Sequence, residues 1–168
     1  MSDNLNRLRV MVVDDDLGMR QLSSMTLRKD GFEVVEARDG REALRLLSQH
    51  QPDILLLDEM MPELNGMEVC RQIKGNPATR HIRIVFLTAR FKDSDRINAF
   101  EAGADDYLTK PVTPTELRFR VRHQASDVNM WRALHVLAAA TIRLAQEPDA
   151  EQRKRILSEV ENIGHQWT

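Results

Sequence analysis

The run Ile54-Leu55-Leu56-Leu57 ends on Asp58. A continuous apolar run this short, closed by a carboxylate, reads as a strand buried on both faces, and such strands belong to parallel sheets covered by helices on each side. The acid then emerges at the carboxyl edge of the sheet, where open α/β folds place their ligands. Glu59-Met60-Met61-Pro62-Glu63-Leu64-Asn65-Gly66 follows as a loop shaped by Pro62 and Gly66. Because an Asp at a strand end usually caps a helix or closes a turn, the other strand ends must decide what Asp58 does.

The first 125 or so residues alternate strand and helix. Val10 to Val13 is expected as a strand, Leu17 to Asp30 as a helix burying Leu22, Met25 and Leu27, and Glu33 to Ala37 as a strand. Gly40 to Gln49 follows as a helix burying Ala43, Leu44 and Leu47. After the Asp58 strand comes a helix with Met67, Cys70 and Ile73 on one side. Ile82 to Leu87 is a strand, Asp95 to Ala102 a helix, Tyr107 to Thr109 a short strand, and a last helix starts after Pro114. Five such units with short connections imply an α/β fold, a five-stranded parallel, doubly wound sheet with right-handed crossovers.

Its strand ends bring chemistry to one edge: Asp14-Asp15-Asp16 after the first, Asp58 on the third, Thr88-Ala89 on the fourth, and Lys110-Pro111 after the fifth. Carboxylates about 4 Å apart repel by roughly 4 kcal/mol per pair at an effective dielectric near 20, so they stay ionised only around a cation. An all-oxygen cluster open to water suits Mg²⁺. Lys110 and Thr88 are suited to phosphoryl oxygens, and Asp58 is expected to be a nucleophile that accepts a phosphoryl group as an acyl phosphate.

This constellation resembles the receiver domain of two-component response regulators, CheY-like in pattern. The matching pieces are Val12-Val13-Asp14-Asp15, Leu57-Asp58-Glu59-Met60-Met61-Pro62 with Gly66, Leu87-Thr88-Ala89, and Gly103-Ala104-Asp105-Asp106-Tyr107-Leu108-Thr109-Lys110-Pro111, in order, over residues 8 to about 125. The resemblance implies a flavodoxin-like sheet of order 2-1-3-4-5 with Asp58 as phosphoacceptor. Asp14, Asp15, Asp58 and the backbone carbonyl of Met60 would hold Mg²⁺. Thr88 and Lys110 would bind the phosphoryl oxygens, and Tyr107 would be the aromatic switch residue coupled to Thr88. The expected donor is a sensor histidine kinase or phosphotransfer protein. Beyond self-catalysed phosphotransfer and dephosphorylation, the receiver is expected to have no enzyme activity. Asp105, Asp106, Glu116, Arg118 and Arg120 resemble the charged dimer face of receivers joined to winged-helix domains, except that Asn98 stands where those receivers carry a basic residue.

Other features are read as structural. Asp16 is expected to cap the first helix, and Cys70 to pack in the core. The five histidines share no metal-ligand spacing. A formal net charge of −2 gives no general affinity for nucleic acid or an anionic membrane, and no apolar stretch approaches the roughly 18 residues of a membrane span. A single cysteine fits a reducing compartment, and with a polar N-terminus lacking the apolar core of a secretion signal it implies a cytoplasmic protein.

Residues 126–168 are expected to form a helical hairpin, continuous with the fifth receiver helix or offset by a break near Ser126-Asp127, a dimerisation or coupling extension to the receiver at 1–125. Met130, Leu134, Leu137, Thr141 and Leu144 make a heptad-like seam. Glu147-Pro148 interrupts it, Asp149 and Gln152 suggest a capping box, and Ile156, Val160, Ile163 and Trp167 continue on a second helix. Five basic residues against six acidic ones offer no DNA footprint. A two-helix hairpin cannot bury its stripe alone. It can pair with a second copy as a homodimer, couple the receiver to a catalytic effector domain absent from this chain, or fold back onto its own receiver. The downstream protein partner is not named by the sequence.

Overall fold

The computed structural model describes residues 7–89 and 93–166, with side chains for 7–89 and 97–161. In chain order the elements are β1 (Arg9–Val13), α1 (Leu17–Lys29), β2 (Glu33–Ala37), α2 (Gly40–His50), β3 (Ile54–Asp58), α3 (Gly66–Gly75), β4 (Arg83–Thr88), α4 (Asp93–Glu101), β5 (Asp106–Thr109), α5 (Pro114–Gln146) and α6 (Ala150–Gln166). The chain divides into two compact units, Met1–Ala125 and Ser126–Thr168, and α5 supplies residues to both.

In the first unit the five strands are all parallel, in the order β2-β1-β3-β4-β5. Every residue of β3 is buried, as a strand covered on both faces must be. Alternate side chains feed two cores. Met11, Val13, Leu55, Leu57, Ile84 and Phe86 meet Ala43 and Leu47 of α2, Val69, Cys70 and Ile73 of α3, and Ala99 of α4. Val10, Val12, Ile54, Leu56, Val85 and Leu87 point the other way, and Leu27 of α1 with Leu117 and Val121 of α5 are buried too. Arg122 of α5 also forks onto Asp30 at the end of α1, Nε to Oδ2 at 2.6 Å.

The first helix departs from its expected burial. Leu22 and Met25 are exposed, whereas Ser23, Ser24, Thr26 and Leu27 are buried. Ser23, Ser24 and Leu27 sit at helical spacing on one face, and small polar side chains there let the helix pack closely. The Thr26 hydroxyl satisfies itself by donating to the Leu22 carbonyl at 2.8 Å. Capping is local and explicit: Asp16 accepts from Met19 N–H at 2.8 Å, Asp39 from Glu42 N–H at 2.7 Å, and Asn65 forms a reciprocal capping box with Glu68.

The loop after β3 is held by two backbone devices. Glu63 takes a left-handed conformation, φ 64°, in a tight turn closed by Leu64 N–H on the Pro62 carbonyl at 2.8 Å. For a residue with a Cβ this costs roughly 1–2 kcal/mol. Gly66 then presses against the strand end. Its N–H donates to the Glu59 carbonyl at 3.0 Å, and a Cβ there would lie 2.3 Å from the Asp58 carbonyl oxygen. Gly66 is glycine because backbone passes where a side chain would stand.

In the second unit, α5 and α6 carry an Arg143–Glu159 ion pair at 3.1 Å, and Ala140 and Ile156 are buried. Ala133, Val136, Leu144 and Val160 are half-buried. This differs from the expected seam: Met130, Leu134, Leu137 and Thr141 are exposed, and only Leu144 is partly covered. The stripe turned inward is the neighbouring one, containing alanines that let two helices approach. Trp167 and the Ile163 side chain lie outside the described residues. Asp149 accepts from Gln152 N–H at 2.8 Å, while its own N–H donates to Glu147 Oε1 at 3.1 Å. Glu147, rather than Gln152, thus takes the reciprocal bond. No helix among the described residues is long and apolar enough to cross a membrane.

Two glycines of one helix give a paired test of this packing. Gly66→Ala should destabilise the protein by about 1–3 kcal/mol, because the new methyl must displace backbone. Gly75→Ala, which meets nothing within 4 Å, should stabilise by up to about 1 kcal/mol through helix propensity. Urea denaturation midpoints measure both.

Candidate functional site

The carboxyl ends of β1, β3, β4 and β5 bring Asp14, Asp58, Thr88 and Lys110 together. Asp14 is fully buried. Its Oδ1 accepts from Asp16 N–H at 2.9 Å, Arg20 Nη1 donates to its backbone carbonyl at 2.6 Å, and its Oδ2 faces Lys110 Nζ at 3.1 Å. Lys110 Nζ also lies 3.1 Å from Asp58 Oδ1. One ammonium therefore bridges two buried carboxylates. Lys110 N–H bonds the Thr88 carbonyl at 2.8 Å, and the Lys110–Pro111 peptide is cis. Asp15 is exposed, and one carboxylate oxygen from each of Asp14, Asp15 and Asp58 lies within 4.8 Å of the others.

The electrostatics follow from this crowding. Burial raises the Asp58 carboxyl above its usual range and the charge of Asp14 adds to the effect. The Lys110 contact and a bond from Met60 N–H to Asp58 Oδ1 at 3.3 Å oppose it in part. For Lys110, burial alone would lower the ammonium, but Asp14 and Asp58 outweigh it and hold it above its ordinary value. The site combines carboxylates in excess with one fixed cation. A divalent cation among the three carboxylates would remove the remaining repulsion, and an all-oxygen donor set with one member open to solvent fits Mg²⁺.

Thr88 is buried, and its hydroxyl donates to Glu59 Oε2 at 2.5 Å. Glu59 has no assigned role in the receiver resemblance. The signal was available in register: Asp58 pairs with Leu87, so the residues that follow, Glu59 and Thr88, come side by side. Tyr107 pairs with Phe86, and Thr109 with Thr88, so Tyr107 and Thr88 share a sheet face two residues apart. The half-buried Tyr107 ring stands edge-on to Phe100, centroids 5.9 Å apart at 79°.

The expected charged face is altered. Asp105 accepts from Lys74 Nζ at 2.8 Å, Arg83 Nη1 at 2.6 Å and Ile84 N–H at 2.8 Å, so it is consumed within the fold. Asp106 is buried and paired with Arg120 at 3.3 Å. Ile97, Phe100 and Phe119 are exposed on α4 and α5 instead. Buried Cys70 donates to the Ala102 carbonyl at 3.3 Å, and burial pushes its thiol up to about 11, which makes it an unreactive core residue.

Residues 10–122 match the family model of the response regulator receiver domain. The transcriptional regulatory protein ResD of Bacillus subtilis is 41% identical over 134 residues, covering 78% of this chain and 55% of ResD. The phosphate regulon transcriptional regulatory protein PhoB of Escherichia coli is 40% identical over 114 residues, 68% of this chain and 50% of PhoB. The chain thus spans about half the length of these curated relatives. Among solved structures, the chemotaxis protein CheY4 of Vibrio cholerae superposes with a TM-score of 0.67 at 30% identity, covering 70% of this chain and 98% of that one. The receiver domain of a Francisella response regulator gives 0.67 at 30% identity, covering 72% and 98%.

The raised Asp58 carboxyl has a pH consequence. In the fold it holds its proton more tightly than in the unfolded chain, where an ordinary aspartate titrates near 3.8. It therefore favours the fold below that pH, and the contribution is lost as pH rises through the folded-state value. Asp58→Asn, with no charge to bury, should melt at a higher temperature than wild type at neutral pH in chelator. The gap should close toward about pH 4 and narrow when a divalent cation is added. Thermal denaturation across pH checks this.

Proposed function

The chain belongs to the response regulator receiver family, and from that premise we propose that Asp58 is its phosphoacceptor. The observation that carries the reading is the Lys110 ammonium, 3.1 Å from both Asp14 and Asp58, beside three carboxylates gathered within 4.8 Å. The donor is a phosphohistidine on a sensor kinase or phosphotransfer protein. An Asp58 carboxylate oxygen attacks phosphorus, a P–O bond forms, and the P–N bond to imidazole breaks with its electron pair left on nitrogen. Lys110 and Thr88 hold the phosphoryl oxygens. Asp14, Asp15, Asp58 and the Met60 backbone carbonyl would hold Mg²⁺, which when bound would supply positive charge against the phosphoryl oxygens. Hydrolysis by water returns the carboxylate.

Phosphorylation switches a protein–protein surface through Thr88 and Tyr107. Rotation of the Thr88 hydroxyl toward the phosphoryl group changes the packing beside Tyr107 on the same sheet face. Residues 126–168 are read as the dimerising or coupling extension, supported by the exposed apolar stripe Met130, Leu134 and Leu137 among the described residues. A larger regulator with a catalytic effector domain is the second reading, supported by the similarity at 31% identity to about half of a protein described as a two-component system response regulator/GGDEF domain protein. ResD and PhoB are named as transcriptional regulators, but the acidic balance of the tail favours a protein partner over nucleic acid. A cytoplasmic location suits the single, buried thiol.

Incubation with Mg²⁺ and acetyl phosphate should add one phosphoryl group, read by intact mass spectrometry. Asp58→Asn should abolish it, and an unchanged yield in that variant would sink the assignment. Lys110→Ala should slow the reaction by about 10²-fold. The full chain should be a dimer by analytical ultracentrifugation whether or not it is phosphorylated, and a chain ending at Ala125 a monomer when unphosphorylated. Replacing Leu134 and Leu137 with Glu should shift the dimer to monomer, since each lost burial is worth roughly 1.5–3 kcal/mol. An equally dimeric truncation would remove the tail's role.

A further inference from the structure

The loop after β3 carries a second buried carboxyl group that phosphotransfer does not use. Glu59 is fixed by its backbone, N–H donating to the Leu87 carbonyl at 3.0 Å and carbonyl accepting from Gly66 N–H at 3.0 Å. Its side chain is directed at Thr88, whose hydroxyl it receives at 2.5 Å, and both residues are buried. A threonine hydroxyl has one proton to donate. Donated to Glu59, that proton is withheld from a phosphoryl oxygen at Asp58.

We propose that Glu59 is a positioning residue that competes with the phosphoryl group for the Thr88 hydroxyl, and so sets how readily the phosphorylated state forms and how long it lasts. The proposal rests on Asp58 being the phosphoacceptor. No covalent bond to Glu59 or Thr88 changes. The hydroxyl turns from the Glu59 oxygen to a phosphoryl oxygen, and the buried Glu59 loses a donor. That loss weighs against the phosphorylated state and is absent where residue 59 does not accept from Thr88.

The test uses the full chain with Mg²⁺ and beryllofluoride, a stable mimic of the phosphoryl group, titrated by calorimetry. Glu59→Gln keeps the shape and a neutral acceptor and should bind about threefold more tightly than wild type. Glu59→Leu should bind about tenfold more tightly, and the phosphorylated form of each should decay more slowly in the same order. Both effects must run through Thr88, so in a Thr88→Val background Glu59→Leu should leave the affinity within about twofold of Thr88→Val alone. A purely structural or long-range electrostatic role for Glu59 would leave the gain intact in that background and overturn the proposal. Unchanged or weaker binding in Glu59→Gln with an unaltered urea midpoint would also overturn it. Wild-type protein that binds no beryllofluoride would instead overturn the assignment of Asp58 itself.

Discussion

One ammonium between two buried carboxylates is the interaction on which the receiver depends. Asp14 has no exposure and Asp58 almost none, so neither charge can be left to water, and Lys110 lies 3.1 Å from each. Lys110 reaches them because β5 lies two strands from β3 in a sheet whose order brings the ends of β1, β3, β4 and β5 to one edge. The compensation is incomplete, since the Asp58 carboxyl still sits above its usual range. That residual imbalance makes the edge receptive to further positive charge. On the proposed reading, its charges being only partly settled is what makes the site reactive.

Most of this edge was legible in the chain. Apolar runs closed by Asp or Thr located the strands, and the chemistry at their ends followed from the rule that parallel strands share a carboxyl edge. What escaped the reading were relations needing register or direction. Glu59 meets Thr88 because Asp58 pairs with Leu87, and no local pattern announces that pairing. Asp105 and Asp106 looked like surface charges, yet each is claimed by partners far along the chain, Lys74 and Arg83 for one and Arg120 for the other.

Two helices, α1 and α5, cover a different stripe from the one their apolar periodicity suggests, while α2 and α3 bury the expected one. Periodicity finds an apolar stripe but not which stripe the fold covers when a helix carries more than one candidate face. In α1 the larger Leu22 and Met25 lie outside, while a face of Ser23, Ser24 and Leu27 is buried. In α5 the stripe containing Ala140 turned inward, leaving the larger leucines at 134 and 137 outside. In both helices, volume at the contact outweighed hydrophobicity, as expected where close-packed interiors tolerate neither voids nor overlap.

The bonds around Asp105 bear on how this sequence can drift over generations. A single carboxylate serves a lysine from α3, an arginine from β4 and a strand amide at once. Losing the acid would remove the one carboxylate between two cations at a partly buried corner, where Lys74 would keep the Ile82 carbonyl at 2.8 Å, whereas losing one cation leaves the acid still satisfied by the other. Substitution should therefore proceed in a preferred order, with Lys74 or Arg83 free to change before Asp105 and Asp105 only after both. The three positions form a ratchet in sequence space, and descendants that keep the aspartate need not keep the same base beside it.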